Sequence, residues 1–153
     1  MAFKPVVFKL NNEVYGVDIS HVNGIEREQM VIRVPNTSAT IKGIINLRGE
    51  VIPVINLKAK FGAQGQETTD TELIIINLET GKIALEVDGV EEIQNIDEAN
   101  IVDMPVIALG EGVEYFEKIA KVNNQLIIMI NPHKLLSEAE AGNVEMLVES
   151  SAN

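Results

Sequence analysis

The sequence predicts an all-β protein built from two related modules, and three observations carry that prediction. Four segments run apolar at strand length around polar turn pairs, the two halves match each other in order, and the chain is rich in Ile, Val and Leu. Apolar residues make up 46% of the 153 positions against 23% charged, which is enough to fill a core and argues against disorder. Length alone admits one ordinary domain or two small ones.

The elements follow in order. Val6, Phe8 and Leu10 alternate with Val7 and Lys9, Asn11-Asn12 intervene, and Tyr15, Val17 and Ile19 resume a period of two. Asparagine tolerates positive φ and bonds its own backbone, so this reads as a hairpin. Ile44 to Leu57 around Arg48-Gly49, Leu73 to Val87 around Thr80-Gly81, and Ile119 to Ile130 around Asn123-Asn124 repeat the plan. Pro53 lies inside the second hairpin and cannot donate to a ladder, so it is expected at an edge or a bulge. Gly62 to Asp70 has little to bury and reads as a link between halves, with a surface loop inside one domain as the alternative. Asn131 as N-cap, Pro132 at the first helical position and the apolar Leu135-Leu136 predict a C-terminal helix over 132–141, stopped by Gly142.

Sliding the chain on itself supports duplication. Leu10 falls on Leu78, Val17 on Leu85, Ile19 on Val87, Val22 on Val90 and Ile25 on Ile93 without a gap. A second register lays Ile44 on Ile119, Val51 on Leu126, Val54 on Met129 and Asn56 on Asn131. Each half then reads hairpin, connection, hairpin. Antiparallel modules this short hide their edges by curling, which predicts two small closed or nearly closed barrels. The boundaries read from sequence are one domain over 1–153, with a first barrel at 6–61, a second at 72–131 and a variable tail at 143–153.

Twelve Lys plus Arg against 23 Asp plus Glu leave a net charge of −11, which repels phosphate backbones and anionic membrane surfaces and argues against nucleic acid as a partner. The absence of cysteine removes disulfides and thiolate chemistry and fits a reducing compartment such as the cytoplasm. Met1 to Leu10 lacks the blocks of a signal peptide, and apolar runs such as Leu126 to Ile130 are too short to cross a bilayer.

A search for chemistry finds none, so no catalytic, cofactor or metal residues are assigned. His21 and His133 lie in different halves without a second ligand at metal-binding spacing, and are read as lone surface imidazoles. Glu91-Glu92 and Asp97-Glu98 read as a solvated acidic face, because successive strand residues point to opposite sides. Leu109-Gly110-Glu111-Gly112 has no following lysine, and Ser20, Ser38 and Ser137 lack a nucleophile-elbow context.

One segment carries a resemblance. Ile41-Lys42-Gly43-Ile44-Ile45-Asn46-Leu47-Arg48-Gly49-Glu50-Val51-Ile52-Pro53-Val54-Ile55-Asn56-Leu57, followed by Phe61-Gly62, resembles the signature hairpin of the CheW family, the coupling proteins of bacterial chemotaxis. Val7 to Leu10 with Val14 to Ile19, Leu85 to Val90, and Leu126 to Ile130 are similar to further strands of that family. The resemblance implies two SH3-like antiparallel β-barrel subdomains joined by short helical connections. It further implies a non-enzymatic scaffold, without cofactor or metal. Such a scaffold couples the cytoplasmic tip of a chemoreceptor to the regulatory domain of the chemotaxis histidine kinase, at receptor arrays on the inner face of the membrane.

In the family the receptor tip, a helical hairpin, docks between the barrels. The strip that would receive it comprises Ile19, Val22 and Ile25 with Val87 and Val90, although burial alone would account for each of these. Gly43 and Arg48 match positions tied to receptor coupling: the glycine admits a close backbone, and the arginine offers a guanidinium at a hairpin tip, where an exposed turn residue is the simpler reading. Where the family commonly has a glutamate that pairs with this arginine, the sequence has Gly24, while the equivalent place in the second half keeps Glu92. Glu26 or Glu28 is the expected substitute. Two other readings stand beside the adaptor. One is a coupling or regulatory module separated from a larger chemotaxis signalling protein, an expectation that a short, complete chain disfavours. The other is a small β-barrel enzyme, which turnover or a bound cofactor would support.

Overall fold

A computed structural model describes residues 2–11, 13–27, 30–34, 39–61, 71–93, 95–103 and 115–136. Its strands are β1 (Ala2–Phe3), β2 (Pro5–Leu10), β3 (Glu13–Asp18), β4 (Val22–Arg27), β5 (Ile41–Leu47), β6 (Glu50–Asn56), β7 (Glu72–Leu78), β8 (Gly81–Val87), β9 (Gly89–Ile93), β10 (Ile96–Asp97), β11 (Ile101–Asp103), β12 (Phe116–Val122) and β13 (Gln125–Ile130). One α-helical turn, α1 (Leu57–Lys60), and the 3-10 turns Ile19–His21, Glu98–Asn100 and Pro132–Lys134 connect them. The link at 62–70, the glycine loop at 109–112, Ser38, Ser137 and everything after 136 lie outside the described residues.

All four hairpins form, and the two repeat registers hold in three dimensions. In β2–β3, Val6 faces Val17 and Leu10 faces Glu13, while in β7–β8 the equivalent Ile74 faces Leu85 and Leu78 faces Gly81. In β5–β6, Ile45 faces Ile52, as Ala120 faces Ile127 in β12–β13, and both ladders carry an irregularity at the same place, between Ile41 and Gly43 and between Phe116 and Lys118. The turn of β7–β8 sits on Glu79-Thr80, one residue earlier than its glycine suggested, because Gly81 already pairs with Leu78.

The sheets correct the contiguous boundaries 6–61 and 72–131. Beside a two-stranded β1-β10 ladder, one large sheet runs β11-β12-β13-β3-β2-β9 and the other β4-β7-β8-β6-β5, so each large sheet takes a hairpin from both halves of the sequence. The exchange is reciprocal. β4 of the first repeat lies on β7 of the second, with Val22 opposite Ile76 and Ile25 opposite Ile74. β9 of the second lies on β2 of the first, with Val90 opposite Phe8 and Ile93 opposite Val6. Pairing depends on which edges are free in space, and a sequence match reports similarity without reporting partnership.

Neither sheet is purely antiparallel: β3 runs parallel to β13 and β6 to β8. Each sheet encloses a private cluster, Val7, Val14, Ile96, Ala120, Ile127 and Met129 in one and Ile45, Ile52, Val54, Leu73, Ile75 and Ala84 in the other. The opposite faces of the central strands meet in a larger shared core that includes Phe8, Tyr15, Ile55, Leu57, Ile74, Ile76 and Leu85. These are the two barrel subdomains that the apolar hairpins imply. The central strands are buried on both faces, which is why β7 reads as an unbroken Leu73-Ile74-Ile75-Ile76 run instead of alternating.

Of the edge or bulge expected for Pro53 the edge is not found, while the irregularity of its ladder falls one pair away, between Ile41 and Gly43. Pro53 lies in β6, between β5 and β8, opposite Ile44. Ile44 sends both its amide and its carbonyl to Ile32 on the far side, so the ladder requires no donor from Pro53, and the parallel pairing with β8 begins only at Val54. At the C-terminal end Asn131 caps as expected, its side chain accepting from the His133 amide, but the described helical structure is a single 3-10 turn. The same device starts α1, where Asn56 accepts from the Ala59 amide.

Candidate functional site

The β5–β6 turn is built by its own sequence. Arg48 at φ 52° and Gly49 at φ 85° are both left-handed, the geometry that matches the twist of a two-residue hairpin, and the Gly49 amide donates to Asn46 Oδ1 at 3.0 Å. This leaves Arg48 at the outer corner with its side chain 78% exposed. Its Nη2 donates to Glu26 Oε1 at 3.2 Å. Glu26 is on β4 and Arg48 on the β5–β6 tip, at opposite edges of the five-stranded sheet, so the pair spans the curled edges of one barrel. Glu26 therefore supplies the carboxylate that Gly24 lacks. Glu28 and the side chain of Glu92 lie outside the described residues. A pair this exposed contributes about 0–1 kcal/mol, and its value is placement.

Gly43 is buried, and the backbone that approaches it belongs to this chain. A Cβ built there would lie 2.2 Å from the Ile32 carbonyl oxygen and 2.9 Å from Val31 Cγ1. Glycine at this point lets the strand at Val31-Ile32 lie against β5, where the Ile32 and Ile44 amides each donate to the other's carbonyl.

The apolar strip divides. Val87 is 1% exposed and belongs to the shared core, so it cannot touch a partner in this conformation. Val22 and Val90, equivalent in the two repeats, are half-buried and pack on the rim of that core. Ile19 at 37% and Ile25 at 39% are exposed on the 3-10 turn and on β4. Ile19 and Val87 are also repeat equivalents, one open and one closed, so the two halves differ here in burial. Sequence reasoning missed Met30 and Ile32, both largely exposed, and the exposed Val102 and Leu126 on the other sheet. The apolar Met30-Val31-Ile32 run was their available signal.

Polar groups elsewhere have structural partners. Glu91 pairs with Lys9 at 3.0 Å, and Asp97 accepts from the Ala99 amide. The Tyr15 hydroxyl donates to Glu13 at 2.6 Å, and burial, followed by that bond, raises its pKa well above the usual phenol range. Among the described residues no group of three or more His, Asp or Glu side chains is placed to hold a metal ion. The histidines, however, are not lone. His21 and His133 meet with ring centroids 4.9 Å apart, because the 3-10 turns that carry them lie side by side.

Known proteins resemble this chain in sequence and fold. Residues 4–140 match the CheW-like domain. The chain is 33% identical to the chemotaxis protein CheW of Klebsiella aerogenes, over 95% of this chain and 88% of that one, and 33% identical to that of Bacillus subtilis, over 88% and 87%. The crystal structure of the scaffolding protein TtCheW from Thermoanaerobacter tengcongensis superposes with a TM-score of 0.84 at 37% identity, covering 92% of this chain and 96% of that one. Among the described residues no helix is long and apolar enough to cross a membrane.

Proposed function

The chain belongs to the CheW-like family and is a chemotaxis coupling scaffold, and from that premise we propose that it joins the cytoplasmic tip of a chemoreceptor to the regulatory domain of the chemotaxis histidine kinase. One observation carries the reading. The Arg48 tip is held over β4 by Glu26, on the same stretch of chain that exposes Ile19 and Ile25 and sets Val22 on the rim between the two sheets. A guanidinium beside apolar residues suits a helical hairpin that presents an acidic group next to an apolar stripe. Gly43 contributes indirectly, by seating Val31-Ile32, and Val87 by supporting the seam from below.

Coupling of this kind has no chemical step. Holding receptor and kinase together raises their concentration toward each other, and two sheets sharing one core move as a unit when a partner pushes on either. The place of action is the cytoplasmic side of the membrane, at receptor arrays.

Co-sedimentation with receptor cytoplasmic fragments and kinase, separately and together, tests this. The wild type is expected to bind each alone and to raise their joint recovery. Arg48→Glu is expected to lower receptor or kinase recovery while its thermal midpoint stays near that of the wild type, since the turn and the barrel closure cost little to disturb. Undiminished binding of both partners by the folded variant removes Arg48 from the site. A wild type that binds neither overturns the coupling role.

A further inference from the structure

We propose that His21 and His133 form a two-imidazole site for a first-row divalent metal ion of the zinc class, clamping together the 3-10 turns that carry them. They are the only two histidines in the chain, they come from different repeats, and the fold brings their rings to 4.9 Å between centroids at an interplanar angle of 79°. Two imidazoles on one tetrahedral zinc, each at a Zn–N distance of about 2.0 Å, have centroids about 5 Å apart. The observed centroid spacing matches that of a ligand pair, and binding would turn the edge-to-face rings so that one nitrogen of each meets the ion.

The surroundings suit an ion with open positions. The rings border a cleft of about 260 Å³ that is also lined by Asp18, Asn131, Lys118 and Met129. Asp18 and Lys118 bring opposite charges to the lining, and Asp18 Oδ2 fixes the first turn by accepting from the Ser20 amide. Asn131 fixes the second by accepting from the His133 amide, so both imidazoles stand on anchored backbone. Two chain ligands leave further coordination positions for water, which the open cleft can supply. Borderline ions that favour imidazole nitrogen fit this donor set, whereas Mg²⁺ and Ca²⁺, which favour several oxygens, do not. Bound metal would tie the turn beginning at Ile19 to the end of β13.

Titration of the untagged full chain with zinc chloride in a calorimeter tests the site, because any histidine-dependent binding reports on this pair alone. One equivalent is expected to bind the wild type, at least tenfold more tightly than it binds His21→Gln or His133→Gln. In wild-type protein, long-range ¹⁵N correlation spectra should show both imidazoles shifting together as zinc is added, a readout that does not depend on the variants folding. No binding at millimolar zinc, a shift of only one imidazole, or a folded single variant that binds as tightly as the wild type would each overturn the proposal. None of these measurements involves receptor or kinase, so they stand apart from the coupling role.

Discussion

Single residues divide here into those that fill space and those that meet solvent. Gly43→Ala forces a methyl group to within 2.2 Å of a backbone oxygen and is expected to cost roughly 1–3 kcal/mol, as overpacked sites do, in urea unfolding. Gly24→Ala meets nothing within 4 Å and should stay within about 0.5 kcal/mol of the wild type. If both variants melt alike, close approach is not the reason for Gly43. Tyr15 makes an alkaline prediction. Above pH about 10, the ordinary phenol value, the unfolded chain loses the phenolic proton while the folded chain keeps it, so the folded state binds more protons and stability falls as pH rises. Tyr15→Phe should flatten that fall in denaturation curves collected above pH 10. The motif Asn46-Leu47-Arg48-Gly49 was legible as a turn because its chemistry is local. The partner of Arg48 was legible only as a choice between two glutamates, because sequence spacing does not give the direction of a side chain across a curled sheet.

At the scale of elements, β4 and the β8–β9 connection show why a repeat match overstated the site. Ile19 and Val87 are equivalent in sequence, yet one faces solvent and the other the shared core. Both are apolar at period-two spacing, and that pattern cannot tell a residue on an exposed 3-10 turn from one at the buried end of a strand. The difference is testable. Ile25→Asp, on the exposed edge strand, should leave the unfolding midpoint nearly unchanged while lowering receptor recovery. Val87→Asp buries an unpaired carboxylate and should cost about 3 kcal/mol or more, lost cooperativity in the near-ultraviolet melt being the direct sign. Equal stability in the two variants would mean that Val87 is not held in the core. The four hairpins were readable to within a residue at their turns, since Asn, Gly and apolar runs act within a few residues, whereas the short strands β1, β4, β9, β10 and β11 were not. Pro53 was not, because its tolerance depends on where Ile44 sends its hydrogen bonds.

Over the whole molecule, the legible feature was duplication and the hidden one was exchange. Matching Leu10 to Leu78 and Asn56 to Asn131 identified two copies, but nothing in either copy says that β4 must leave its own hairpin for β7. The meeting of His21 with His133 was hidden for the same reason. Because neither sheet can be assembled from one half, a fragment ending at Phe61 and a fragment beginning at Thr71 should each be unfolded alone by circular dichroism. Mixing them should restore β structure. A folded, cooperative single fragment would contradict the observed pairing. Two sheets that each draw on both halves of the chain and pack on one core are tied together, which suits the proposed task of passing geometry from one partner to another.

The reciprocal pairing also has an ancestral consequence. A chain carrying only one repeat could satisfy the same ladders by lending its third strand to a second copy and accepting that copy's strand in return, the arrangement of a two-fold dimer. Such an assembly would come apart on dilution. Tandem fusion turns that encounter into an intramolecular one, so the folded state no longer depends on how many copies a cell makes, and each repeat is then free to acquire a different surface.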